Sequence, residues 1–121
     1  MWTYQQSTGE LTNPGGDVVA TGYSGHGAGK NNPAMQEKVD VGPIPQGTYT
    51  VGPPFTSDKH GPYAMSLTPA ASDEMFGRSG FMMHGDSIEH PGGASEGCII
   101  MPRNIREMVW SSGDHSLQVT A

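Results

Sequence analysis

Large apolar residues alternate with small or polar ones in short bursts along this chain, and a glycine or proline stops each burst. Trp2-Thr3-Tyr4 predicts a strand that ends before Ser7-Thr8-Gly9, and Asn13-Pro14-Gly15-Gly16 predicts a turn. Val18-Val19-Ala20-Thr21-Gly22-Tyr23 predicts a second strand, rich in β-branched residues. The bend Val41-Gly42-Pro43-Ile44-Pro45-Gln46-Gly47 feeds Thr48-Tyr49-Thr50-Val51, and Pro53-Pro54 ends that strand because proline cannot donate to a ladder. Tyr63 to Thr68 alternates in period two up to Pro69. Phe81-Met82-Met83-His84 reads as a buried central strand with a histidine at its far end, and Ser116-Leu117-Gln118-Val119 closes the chain. One helix is predicted, starting after Pro102, where a missing N–H costs nothing. It places Ile105, Met108 and Val109 on one stripe, turns Arg103, Arg106 and Glu107 outward, and takes Gly113 as its C-cap. No internal repeat is present. The pattern predicts a mostly-β fold with one short helix, a single domain over residues 1–121.

Composition narrows the function classes. Eighteen glycines and ten prolines in 121 residues leave little room for long helices. Six basic residues against twelve acidic ones give a net charge of −6. A nucleic-acid binder needs a basic face to neutralise phosphates, so no nucleic acid is expected as partner. An acidic chain is not drawn to anionic lipid, and no apolar run approaches the about 20 residues that span a bilayer, so no membrane partner is expected. Met1-Trp2-Thr3-Tyr4-Gln5-Gln6 lacks the basic and apolar regions of a secretory signal. With one cysteine, Cys98, the chain forms no intrachain disulfide.

That cysteine carries the candidate chemistry. Cys98 follows Ser95-Glu96-Gly97, and Gly97 lets the backbone turn tightly and present the thiol. Fourteen positions earlier His84 ends an apolar strand and is followed by Gly85. A free thiol has a pKa of about 8.5, so an adjacent imidazole is needed to take its proton. The other ring nitrogen then needs an acceptor, for which Asp86 and the Gly85 carbonyl compete. Gly97 and Cys98 can supply backbone N–H groups to an oxyanion hole.

Other features read as background. His26, His60 and His115 sit in Gly/Ser-rich or charged surroundings and are expected on the surface. Gly25 to Pro33 lacks the ending and the following helix of a phosphate loop. A zinc site from His84, His90, Cys98 and Asp86 matches no compact structural-zinc spacing, so neither metal nor cofactor is expected. Met82, Met83 and Met108 read as core filling, and Tyr4 and Trp110 as packing residues.

His84-Gly85 followed by Ser95-x-Gly97-Cys98 resembles the L,D-transpeptidase (YkuD-like) catalytic domain. The fuller string from Gly77 to Asp86, then Ser95 to Pro102, is similar to the L,D-transpeptidase-like effectors of type VI secretion systems. Gly42-Pro43-Ile44-Pro45-Gln46-Gly47-Thr48-Tyr49 resembles the proline-rich hairpin of the same domains. The resemblance implies a small β-sandwich with one short helix after the catalytic cysteine. It implies a cysteine enzyme with L,D-carboxypeptidase or L,D-transpeptidase (D-amino acid exchange) activity on the tetrapeptide stems of peptidoglycan. Cys98 is then the nucleophile, His84 the base, the Gly85 carbonyl the orienting acceptor, and Ser95 a brace for the cysteine loop. Many members carry an arginine two positions after the cysteine, where this chain has Ile100. Arg78, then Arg103, are the candidates to hold a substrate carboxylate instead, with Asp86 beside them facing substrate. Secretion without a recognisable signal peptide, action in the periplasm of a target bacterium, and a periplasmic immunity protein follow from the same resemblance. The competing reading is a non-catalytic wall-binding module with an inert cysteine. A papain-like endopeptidase is set aside because there the cysteine usually precedes the histidine.

Overall fold

The computed structural model describes residues 1–88 and 92–121. The fold is mostly β, a mixed sheet with one short helix. Ten strands run β1 (Trp2–Gln5), β2 (Glu10–Thr12), β3 (Val18–Thr21), β4 (Tyr23–Ser24), β5 (Gly47–Val51), β6 (Phe55–Ser57), β7 (Gly61–Pro69), β8 (Met82–His84), β9 (Ile99–Ile100) and β10 (Ser116–Thr120). The helix α1 (Arg103–Ser111) lies between β9 and β10. Two 3-10 turns, at Gly27–Gly29 and Pro33–Met35, occupy the glycine-rich stretch between β4 and β5. No helix among the described residues is long and apolar enough to cross a membrane.

The strand order is β3-β2-β1-β10-β5-β7-β8-β9-β4, with β6 also paired to β7. Among the described residues only β1 with β10 and β8 with β9 are parallel. The nine residues of β7 join the two flanks. Leu67, Thr68 and Pro69 pair with β5, Met65 and Ser66 with β8, and Gly61 and Ala64 with β6. The Pro53-Pro54 pair separates β5 from β6, as proline's missing donor requires. The expected strand 18–23 is divided at Gly22 into β3 and β4, which join different partners.

One apolar core draws on both flanks and on α1. Trp2, Tyr4, Leu11, Tyr49, Met65, Met83, Ile99 and Leu117 are almost fully enclosed. Each such side chain contributes roughly 1.5–3 kcal/mol of transfer free energy. The helix begins at the residue after Pro102, and Gly113, at φ 79, follows its cap Ser112. Its buried face differs from the expected one. Ile105 and Val109 are enclosed, but Met108 is 42% exposed and Arg106 only 6% exposed. Arg106 turns inward because unpaired carbonyls await it there: Nε donates to Met101 O at 3.1 Å, and Nη1 donates to Pro62 O at 3.0 Å and Tyr63 O at 2.8 Å. A guanidinium that satisfies three carbonyls is better placed inside than a thioether.

Candidate active site

Parallel pairing of β8 with β9 brings the histidine and cysteine segments side by side, His84 opposite Ile100 and Met83 opposite Ile99. Cys98 stands one residue before β9. Cys98 itself lies in the bend that leads into β9, and its Sγ is 3.9 Å from the Gly80 carbonyl oxygen. Ile100 itself is buried, paired with Tyr23 of β4 on one side and His84 of β8 on the other.

His84 is 1% exposed. Its Nδ1 lies 2.8 Å from the Gly85 carbonyl, which can only accept, so Nδ1 carries the proton and Nε2 the lone pair. That Nε2 is buried and has no hydrogen-bond partner among the described residues. An orphaned buried acceptor costs about 1–3 kcal/mol and marks a site kept for another purpose. Asp86 does not compete for the ring. Its Oδ1 accepts from the Tyr23 hydroxyl at 2.5 Å, from Ser87 N at 2.8 Å and from Gly92 N at 3.1 Å, which folds the loop after β8.

Burial holds the His84 pKa down to about 4, with His60 and Arg106 pushing the same way and the Gly85 carbonyl and Asp86 opposing. Between the ordinary 6.5 and about 4 the unfolded chain binds a proton that folded His84 refuses. Its contribution is therefore complete above pH 6.5 and is lost as pH falls towards 4. The difference amounts to roughly 3 kcal/mol. Urea unfolding should show a markedly lower midpoint at pH 4.5 than at pH 7.5, and His84→Gln should remove most of that gap. An unchanged gap in the variant would place the titrating group elsewhere.

The cysteine loop is held by one hydroxyl. The fully buried Ser95 Oγ donates to Cys98 O at 2.6 Å and accepts from Gly25 N at 2.9 Å and Gly97 N at 3.2 Å. The Gly97 N–H expected for an oxyanion hole is thus engaged, though by a long bond. The Cys98 thiol is nearly enclosed, and burial pushes its pKa up while the Met82 N–H and Lys59 pull it down. Burial therefore disfavours the charged form of each group, the thiolate and the imidazolium alike. The thiol borders a cavity of about 330 Å³ walled by Asp40, Lys59, His60, Arg78 and Glu96.

Both motif glycines have an arginine against them. A Cβ on Gly97, whose φ is 126, would fall 2.3 Å from Arg78 Nη2, and one on Gly85 would fall 2.9 Å from Arg106 Nη2. Arg78, expected to hold substrate, is only 7% exposed. Its Nη1 donates to Gln36 O at 2.6 Å and Pro43 O at 2.7 Å, and its Nη2 to Gly42 O at 2.9 Å and Glu96 O at 3.5 Å. A two-pronged grip on a carboxylate would require breaking those bonds. Arg103 is half-exposed, pairs with Glu107 at 3.6 Å, and borders a separate cavity of about 460 Å³ with Tyr23, Gly85 and Asp86.

Sequence reasoning missed the hairpin between β6 and β7. His60, expected on the surface, stacks on His84 with ring centroids 3.8 Å apart and planes at 15°. Beside it Lys59 Nζ reaches Glu96 Oε2 at 3.5 Å across the cavity mouth. The turn residues 58–60 carry no local pattern, so only the tertiary fold reveals them. His115 stacks on Trp110 at 3.9 Å, and His26 is exposed. Of the zinc donors considered, His90 lies outside the described residues. Compared with known families, the chain matches the family model described as the Tlde1 domain over residues 18–120. No curated protein and no solved structure matches it.

Proposed function

The chain belongs to the Tlde1 domain family, the type VI secretion L,D-transpeptidase effector family, and on that premise we propose that it cuts peptidoglycan stem peptides with Cys98 as nucleophile and His84 as base. The observation that carries this reading is the parallel β8–β9 pairing, which brings the strand ending in His84, whose buried Nε2 has no partner among the described residues, beside the segment whose thiol borders a cavity. His84 Nε2 takes the thiol proton as Sγ attacks the carbonyl carbon that precedes a terminal D-alanine. The negative charge moves to the carbonyl oxygen, which the Cys98 N–H stabilises, joined by the Gly97 N–H once it leaves Ser95. Collapse of that intermediate breaks the C–N bond. The imidazolium gives its proton to the departing amine, and a thioester remains on Cys98. Water then completes an L,D-carboxypeptidase cycle, or a D-amino acid amine completes an exchange. The Gly85 carbonyl steadies the imidazolium through Nδ1–H.

In this mechanism Arg78 serves the loop, and carboxylate recognition passes to Lys59, the cation exposed at the mouth of the Cys98 cavity. Arg103 and Asp86 line the separate cavity beside Gly85, and in this reading they would meet the incoming acceptor rather than the donor. No cofactor takes part. The partners that follow are peptidoglycan stems in the target periplasm and an immunity protein that occludes the cavity beside Cys98.

A cell assay tests the reading as a whole. Exported by a fused secretory signal into a Gram-negative periplasm, the protein should deplete tetrapeptide stems and produce swollen or lysing cells. The exported Cys98→Ala variant should do neither. Equal killing by both would make a wall-binding module the better description.

A further inference from the structure

We propose that His60 is a positioning residue for the catalytic imidazole: its ring, laid flat on His84, keeps that ring dry and fixed in one orientation. The proposal rests on His84 acting as the base. The two rings lie 3.8 Å apart at 15°, so one whole face of His84 is covered by His60 while its Nδ1 edge is fixed by Gly85 O. One edge and one face held together leave the imidazole a single orientation, with Nε2 as its open corner.

The support for His60 is itself secured from several sides. His60 N donates to Ser57 Oγ at 3.1 Å, closing the turn. Just after it, Arg106 ties down Pro62 O and Tyr63 O, the latter in a residue held at φ 57. Just before it, Lys59 pairs with Glu96 of the cysteine loop. His60 also borders both the cavity that holds Cys98 and a second one, about 480 Å³, beside Asp86 and Ala94, so it stands where the two meet.

The charged groups around the stack favour this role. Lys59 and His60 come from the β6–β7 hairpin, Asp86 from the loop after β8, Arg106 from α1 and Glu96 from the cysteine loop. His60 loses proton affinity first to burial and then to Lys59, so above the acid range it presents a neutral ring. A neutral aromatic face is compatible with the imidazolium formed during the reaction, whereas a charged one would oppose it.

The test compares His60→Ala, His60→Phe and the native protein by the pH dependence of kcat/KM on tetrapeptide stems and by NMR titration of the His84 ring. The native acid limb should lie near the low His84 value of about 4. With alanine, water reaches the ring and the limb should rise by about two units, towards the ordinary imidazole value. The rate at pH 5 should then fall about tenfold relative to pH 8, with KM little changed. Phenylalanine, which restores the flat cover without a titrating nitrogen, should return the limb to its native place. The proposal is overturned if His60→Ala leaves both the limb and the His84 titration unmoved and alters only KM or Tm. A limb raised equally by phenylalanine would overturn it too. Full activity in His84→Ala would instead overturn the reading it rests on.

Discussion

Cys98→Ala is expected to remove turnover of tetrapeptide stems by at least about 10³-fold, and His84→Ala to do nearly the same. The chain has no second cysteine to substitute for the nucleophile. The histidine effect should be as severe because the resting thiol is neutral. Burial raises the Cys98 pKa, so little thiolate exists at neutral pH unless a base removes the proton during attack. A preformed thiolate–imidazolium pair would behave differently, reacting quickly with alkylating agents well below neutral pH. Here alkylation of Cys98 should accelerate only as pH rises into the alkaline range. Steady-state rates across the two variants, with circular dichroism to verify folding, check the expectation. Losses of less than tenfold in both would remove the pair from the chemistry.

Arg78→Ala is expected to lower stability by about 3–5 kcal/mol, the scale for removing one partner of a buried charged network. Its guanidinium serves the carbonyls of Gln36, Gly42 and Pro43, and reaches Glu96 O in the cysteine loop. Without it those oxygens lose their donors and the segment before β5 is detached from the loop that carries Cys98. Lysine keeps the charge but has no planar fork to reach several carbonyls, so Arg78→Lys should also lower Tm while leaving KM of the folded protein unchanged. A Tm near native together with a severalfold higher KM would restore Arg78 to the substrate-carboxylate role that the sequence suggested.

The contrast between those two sites shows what can be read from residues alone. His84 and Cys98 lie in short segments whose local chemistry is distinctive, a histidine ending an apolar strand and a thiol after a glycine. The strands around them were legible wherever alternation ran four residues or more, as at Thr48–Val51 and Tyr63–Thr68. β2, β6 and β9 were not, because their two or three residues carry neither a period nor the run of large apolar side chains that marks β8. The parallel β8–β9 pairing is a long-range property, yet it is what brings the His84 and Cys98 segments side by side. Arg106 and Met108 exchanged their expected places because helical periodicity weighs apolarity and ignores carbonyls awaiting donors. His60 was invisible for a similar reason: it lies 24 positions before His84 and meets it only through a hairpin.

If Cys98 and His84 work as a pair, they release the terminal D-alanine of a stem peptide. Mass analysis of a purified tetrapeptide muropeptide after incubation with the protein should then show conversion to the tripeptide with free D-alanine. It should also show exchange of the terminal residue when another D-amino acid is supplied, and neither product with Cys98→Ala or His84→Ala. A tetrapeptide left intact by the folded native protein, or a tripeptide formed equally well by Cys98→Ala, would contradict that pairing.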